Sequence, residues 1–135
     1  MKSKTFNIMS WMLRIIPAII LLQTLYFKFS AAPESVYIFS TLGLEPFGRI
    51  AIGVLELIAA LLLLVPKTTI IGAFLGAALM AGAIFSHLTK LGIVVQNDAG
   101  ELFILALIVM ISCIALLFLY RKQAIAYLRL RTITT

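Results

Sequence analysis

Cysteine and histidine each occur once in this chain, as Cys113 and His87. A single cysteine excludes an intramolecular disulfide, a Cys-x-x-Cys redox pair and a thiolate metal cage. A single histidine excludes bis-histidine haem ligation and a multi-histidine zinc site built from this chain alone. No metal site is expected. Charge is scarce as well: only 12% of residues are charged, against about 25% in a soluble protein. Acids are the rarest class, with 5 Asp and Glu against 11 Lys and Arg and a net charge of +6. Many of the basic residues sit towards the chain ends, as Lys2, Lys4, Arg121, Lys122, Arg129 and Arg131. That placement points to contact with anionic lipid head groups and to membrane orientation, and it excludes nucleic acid as the partner.

What remains is grease. Of 135 residues, 63% are hydrophobic, which a soluble core cannot absorb. Four apolar runs, about residues 8–29, 47–65, 69–88 and 101–120, match the roughly 20 residues that cross a bilayer as a helix. The expected fold is all-α: a single-domain integral membrane four-helix up-down bundle, with a short interfacial helix between the first two spans. No small-residue cleavage site follows the first run, so it reads as a retained signal anchor. Pro17 should kink it near Leu13, and Trp11, Tyr120 and Tyr127 suit the interface. In the first connection Pro33 can open a helix with Glu34 in its first turn, and Gly43 can close it as a left-handed cap. Val36, Phe39 and Leu42 would share one side and Tyr37 another, giving an element that lies on the membrane surface or folds over the mouth of the bundle. Pro46 stands where the second span should begin, and Pro66 ends it. The third run holds Gly72-Ala-Phe-Leu-Gly76 and further small residues, a pattern for close helix packing. Asp98 and Glu101 have capping-box spacing before the fourth run. Cys113 reads as a small packing residue.

A few polar residues interrupt these runs. Glu56 lies midway along the second, where a carboxylate costs roughly 2.5–3.5 kcal/mol or more. Arg49, Gly53, Glu56 and Ala60 recur at helical spacing and share a face. Arg14, in the first span, either snorkels to the head groups or turns inward to neutralise Glu56. Glu56 is therefore expected as a neutral acid or paired with Arg14 or Arg49. His87 should reach the bundle interior at the outer end of the third span. The basic termini and the Lys67 turn place both ends in the cytoplasm. Lys28, Glu34, Lys90, Asp98 and Glu101 then ring an outer mouth, with Glu56 as the floor of a polar funnel. Arg14, Arg49, Glu56 and His87 are the candidate buried polar site.

Taken in order, Arg14, Phe27-Lys28-Phe29, Pro33-Glu34-Ser35, Leu44-Glu45-Pro46, Gly53-x-x-Glu56-Leu57, Gly82-Ala-Ile-Phe-Ser-His87 and Asp98-x-Gly100 resemble the DoxX family of small bacterial membrane proteins, over roughly Trp11 to Tyr120. The resemblance implies a four-helix protein of the bacterial cytoplasmic membrane. Some relatives are subunits of thiosulfate:quinone oxidoreductase, and others serve membrane redox complexes or redox-enzyme maturation. It carries Arg14, Glu56 and His87 over as functional positions, while the paired cysteines of the maturation relatives are missing here. The first expectation is a membrane subunit or accessory factor of a redox complex, with a quinone or small-molecule site in the bundle and no intrinsic cofactor. No complete catalytic constellation is present, so it would be at most an oxidoreductase subunit acting with a partner protein. A non-catalytic assembly module, a small-solute carrier using Glu56, and buried charges that merely set helix register stay open. The lipid bilayer, a redox partner and further copies of this chain are the expected contacts.

Overall fold

The computed structural model describes residues 3–122, 125–126 and 129. Lys2, Tyr127 and Arg131, used above for the basic, aromatic-flanked termini, lie outside the described residues. Five α-helices account for most of the chain, with no strand among the described residues: α1 (Lys4–Phe29), α2 (Pro33–Thr41), α3 (Phe47–Leu64), α4 (Thr69–Ser86) and α5 (Glu101–Leu119). A 3₁₀ turn, Pro66–Thr68, joins α3 to α4, and α4 runs on into a π-helical turn, His87–Leu91.

The helix limits follow from local chemistry. α1 starts a turn earlier than the hydropathy suggested, because the Ser3 side chain caps it by accepting from the Phe6 N–H at 3.1 Å. It runs through Pro17, which is buried inside it. Pro33 occupies the first turn of α2, with Glu34 beside it. Gly43 follows the cap of that helix at φ +74°, a left-handed conformation natural to glycine. Pro46 is the N-cap of α3, and Pro66 starts the 3₁₀ turn that ends it. The fourth span departs from the capping-box expectation. Its N-cap is Gly100, in the left-handed region, and Asp98 stands two residues ahead of it. The Asp98 carboxylate still serves the helix start, accepting from the first-turn N–H of Leu102 (3.1 Å), and it joins that turn to the preceding loop through the N–H groups of Val95 (3.0 Å) and Gly100 (2.8 Å). Burial alone would raise its pKa, but those three donors favour the carboxylate and hold the group below its ordinary value.

The four long helices pack as a ring in which α1 meets α3, α3 meets α4, α4 meets α5 and α5 returns to α1. Short turns make neighbours antiparallel. Phe6 and Tyr120 touch edge to face, with centroids 5.7 Å apart, so the start of α1 and the end of α5 lie at one end of the bundle. That end, which also holds the Lys67 turn, is the basic end. The opposite end holds α2 and the two longer connections with Glu34, Glu45, Asp98 and Glu101, and is the acidic end.

All four long helices are long and apolar enough to cross a membrane, and their outward faces are studded with large apolar side chains: Phe47, Phe74, Phe85, Ile111 and Phe118 are all mostly exposed. In water such a surface would be an aggregation hazard; against acyl chains it is the solvent-matched face. Inside, Leu21, Ala59, Ala60, Leu63, Ala73, Val109, Cys113 and Leu116 make the sealed core. The small residues of α4 serve two purposes along its length. Near the basic end, a Cβ on Gly72 would come within 2.6 Å of the Leu63 backbone, and one on Gly76 within 2.8 Å of Cys113 Sγ. Those glycines let α4 press against α3 and α5, as the Gly-x-x-x-Gly pattern predicts. Nearer the acidic end, Gly82 has open space where a Cβ would stand.

Candidate functional site

A cavity of about 320 Å³, with Gly82 among its lining residues, lies in the half of the bundle nearest the acidic end. All five helices contribute to its wall. α4 supplies Ala78, Gly82 and Ala83, whose small side chains leave the volume, while α5 supplies Leu102, Leu105 and Ala106. α2 lies across it with Ile38, Phe39 and Leu42 turned inward; Phe39 is buried and Tyr37 is exposed on the far side. Of the two placements expected for α2, the fold adopts the one over the mouth of the bundle.

The polar side chains on this wall are few. Lys28 Nζ lies 3.0 Å from Glu56 Oε2, and both side chains are largely withdrawn from the surface. Thr24 donates to the same carboxylate oxygen at 3.1 Å. His87 and Ser86 line the cavity from the α4 side. The His87 ring is 5% exposed, packs edge to face on Phe103 at 5.6 Å, and its Nδ1–H donates to the Gly92 carbonyl at 2.9 Å. A carbonyl can only accept, so Nδ1 carries the proton. In the neutral ring Nε2 is then left with its lone pair. The π turn creates this contact. By wrapping His87–Leu91 more widely it swings Gly92, at φ +78°, back to the imidazole.

The chosen partner of Glu56 corrects the sequence reading: it is Lys28, not Arg14 or Arg49. Helical side chains lean towards the N-terminus of their own helix. α1 and α3 are antiparallel, so Lys28, near the C-terminal end of α1, leans into the bundle. Glu56 leans out towards it. Arg14 leans the other way, towards the basic end. At about 1.5 Å per residue its Cα is also some 15 Å along α1 from Thr24, which does touch Glu56. Arg14 Nη2 donates to the Tyr120 hydroxyl at 2.7 Å, and the guanidinium lies over the Trp11 ring at 4.6 Å. Arg49 shares the Glu56 face of α3 but is about two turns removed. Its Nε donates to Glu45 at 2.8 Å and its Nη1 to the Lys28 carbonyl, one of the acceptors left open at the end of α1. Arg49 is thus a clasp between α3 and the end of α1, outside the cavity.

Of the residues expected at an outer mouth, Lys28 alone joins the site. Glu34, Lys90 and Glu101 are exposed, Asp98 is spent on its loop, and none of the four lines the cavity. Thr24 and Ile38 were not singled out from the sequence; Phe39 and Leu42 were expected on one side of α2 and line the cavity, while Val36, expected beside them, does not. The lean of Lys28 and of Thr24, four residues earlier, was the signal that would have found the first.

A family model, the DoxX-like family, matches residues 12–116. The chain belongs to the DoxX-like family. The match runs from the first span nearly to the end of the fourth, so it takes in all four helices of the ring, α2 and every cavity residue named above. No curated protein and no solved structure matches the chain. This DoxX-like chain is therefore a multi-pass membrane protein whose helices line an apolar cavity with a few polar groups on its wall.

Proposed function

We propose that this DoxX-like protein binds a small amphipathic molecule, a quinone head group by preference, in the cavity beside α2. In this reading it serves as a membrane subunit or accessory factor of a redox complex whose electron carrier belongs to another protein. The observation that carries the reading is the cavity's chemistry. Its volume falls at the lower end of the roughly 300–1,000 Å³ typical of small-molecule sites, and its wall is apolar with a few convergent polar groups, the usual make-up of such a site. A quinone ring presents flat apolar faces and two oxygens. Lys28 can donate to one oxygen, and His87 Nε2 can accept from the other once it is a hydroxyl. The Glu56 carboxylate beside Lys28 and the imidazole can hold or release a proton at those positions. A bacterial cytoplasmic membrane with both termini on the cytoplasmic side fits the Lys and Arg at the basic end. α2 would then close the cavity from the periplasmic face.

The reading of an assembly module that grips a partner through its small residues has less support: Gly72 and Gly76 are used up within the chain.

The test is purification in mild detergent, solvent extraction, and an assay for co-purified quinone. A short-chain quinone is then titrated while thermal unfolding is followed. A ligand at 100 times its Kd stabilises by about 2.7 kcal/mol, and the unfolding temperature should rise accordingly. Gly82→Leu, which adds bulk at the cavity wall, should fold and lose that rise. If the wild type carries no quinone and shows no shift with short-chain quinone, the reading fails.

A further inference from the structure

Arg14 is 6% exposed, yet among the described residues no carboxylate lies within ion-pair distance of it; the ion pairs are Lys28–Glu56 and Arg49–Glu45. Its Nε is sealed from solvent and has no hydrogen-bond partner. Only Nη2 has one, the Tyr120 hydroxyl, which is also hydrogen-bonded to Ser10. The Trp11 and Tyr120 rings, 4.6 and 5.6 Å from the guanidinium carbon, stabilise the cation but do not neutralise it. A snorkelling arginine would have its head group in water; this one keeps its Nε out of it. A buried charge without a counterion is a costly arrangement, and all five acids of the chain lie at the other end or at mid-depth. The basic end carries further cations instead: Lys4, Arg121 and Lys122 are all exposed there.

We infer that Arg14 is the floor of an anion site at the basic end of the bundle, and that its ligand is a phosphate group carried by an anionic phospholipid of the adjoining leaflet. A guanidinium presents parallel N–H donors that match two phosphate oxygens. The Tyr120 and Ser10 hydroxyls lie alongside to complete the shell. Trp11 is 41% exposed, and tryptophan favours the level where acyl chain meets head group. The surrounding lysines and arginines draw anionic lipid to the same rim. The site is separate from the cavity beside α2 and stands whether or not that cavity binds a quinone.

The experiment compares native mass spectra and thermal unfolding of the full chain in nanodiscs of phosphatidylglycerol and of phosphatidylcholine, with inorganic phosphate titrated into the second. The expected result is retained phosphatidylglycerol on the wild type and a higher unfolding temperature in that lipid. Arg14→Met should abolish the difference, weakening retention about tenfold, the worth of one charged hydrogen bond. Arg14→Lys should keep part of it. The exposed pair Lys4→Gln with Lys122→Gln should lower retention less than Arg14→Met does. Inorganic phosphate that stabilises as much as the lipid would overturn the lipid as the source. Equal behaviour of the wild type in the two lipids would overturn the site altogether, and that reading needs no variant to fold.

Discussion

At the acidic end of the bundle half-buried Lys28 and buried Arg49 each meet a carboxylate, Glu56 and Glu45. At the basic end a further buried cation, Arg14, meets none among the described residues and rests against two rings and a hydroxyl. All three solve the same problem, a charge held in an apolar bundle, and the difference lies in how much room each leaves. The Lys28–Glu56 pair opens onto a cavity of about 320 Å³. Arg14, with its Nε sealed, lies against the Trp11 and Tyr120 rings and does not line that cavity. The lesson is that a buried charge in this fold does not mark a ligand cavity by itself. It does so where small residues on the facing helix, here Ala78, Gly82 and Ala83, leave the wall thin.

The largest effect that could break this contrast is at the paired end. Lys28→Met or Glu56→Leu alone leaves one charge buried without its partner. Each should cost about 3–5 kcal/mol, measured as unfolding free energy in detergent. The double variant Lys28→Met with Glu56→Leu should recover most of that loss, because replacing both partners by apolar groups is close to neutral. Two single losses that simply add would mean the pair is not coupled. At the Arg14 end Tyr120→Phe removes the hydroxyl that both Arg14 and Ser10 use, and should cost about 1–3 kcal/mol. A cost as large as that of Lys28→Met would erase the proposed difference between the ends.

The thin and thick parts of α4 give a further comparison. Gly72→Ala forces a Cβ to within 2.6 Å of the Leu63 backbone, which cannot step aside. It should cost about 1–3 kcal/mol, whereas Gly82→Ala, with nothing within 4 Å of its new Cβ, should cost none. The reverse order would mean that the packed stretch of α4 lies nearer the acidic end.

The smallest effect concerns the acidic-end loop. The Asp98 carboxyl is held below its ordinary pKa by the N–H groups of Val95, Gly100 and Leu102. Its contribution is therefore complete above the unfolded value of about 3.9 and is lost as pH falls through the lower folded value. Between pH 7 and pH 5 the wild type and Asp98→Asn should differ by a constant amount. The gap should narrow only in more acidic solution, a comparison that thermal unfolding across pH can make.

Much of the fold was legible because the evidence for it is local and redundant. Four long apolar runs, proline and glycine at their boundaries and basic residues at one end specify a bundle without reference to any contact. Pro33, Gly43 and Pro46 each act within a turn of themselves, and each stands where its own backbone chemistry required. The Asp98–Glu101 spacing located the helix start but not its cap: Gly100, at φ +82°, takes that position, and the Asp98 carboxylate reaches past it to the Leu102 N–H. Glu56 and His87 could be picked out as cavity-side residues because an ionisable group in an apolar run has few places to go.

What the amino-acid order determined by itself is the class of molecule, the number and length of its spans, and which ionisable groups must be hidden. What the tertiary structure alone decided is the pairing among those groups and the position of the empty volume. Helical side chains lean towards their own N-terminus, so antiparallel packing brings Lys28 and Glu56 together and carries Arg14 away. Whether a small residue closes a gap or leaves one depends on the residue across from it, and no single helix contains that information.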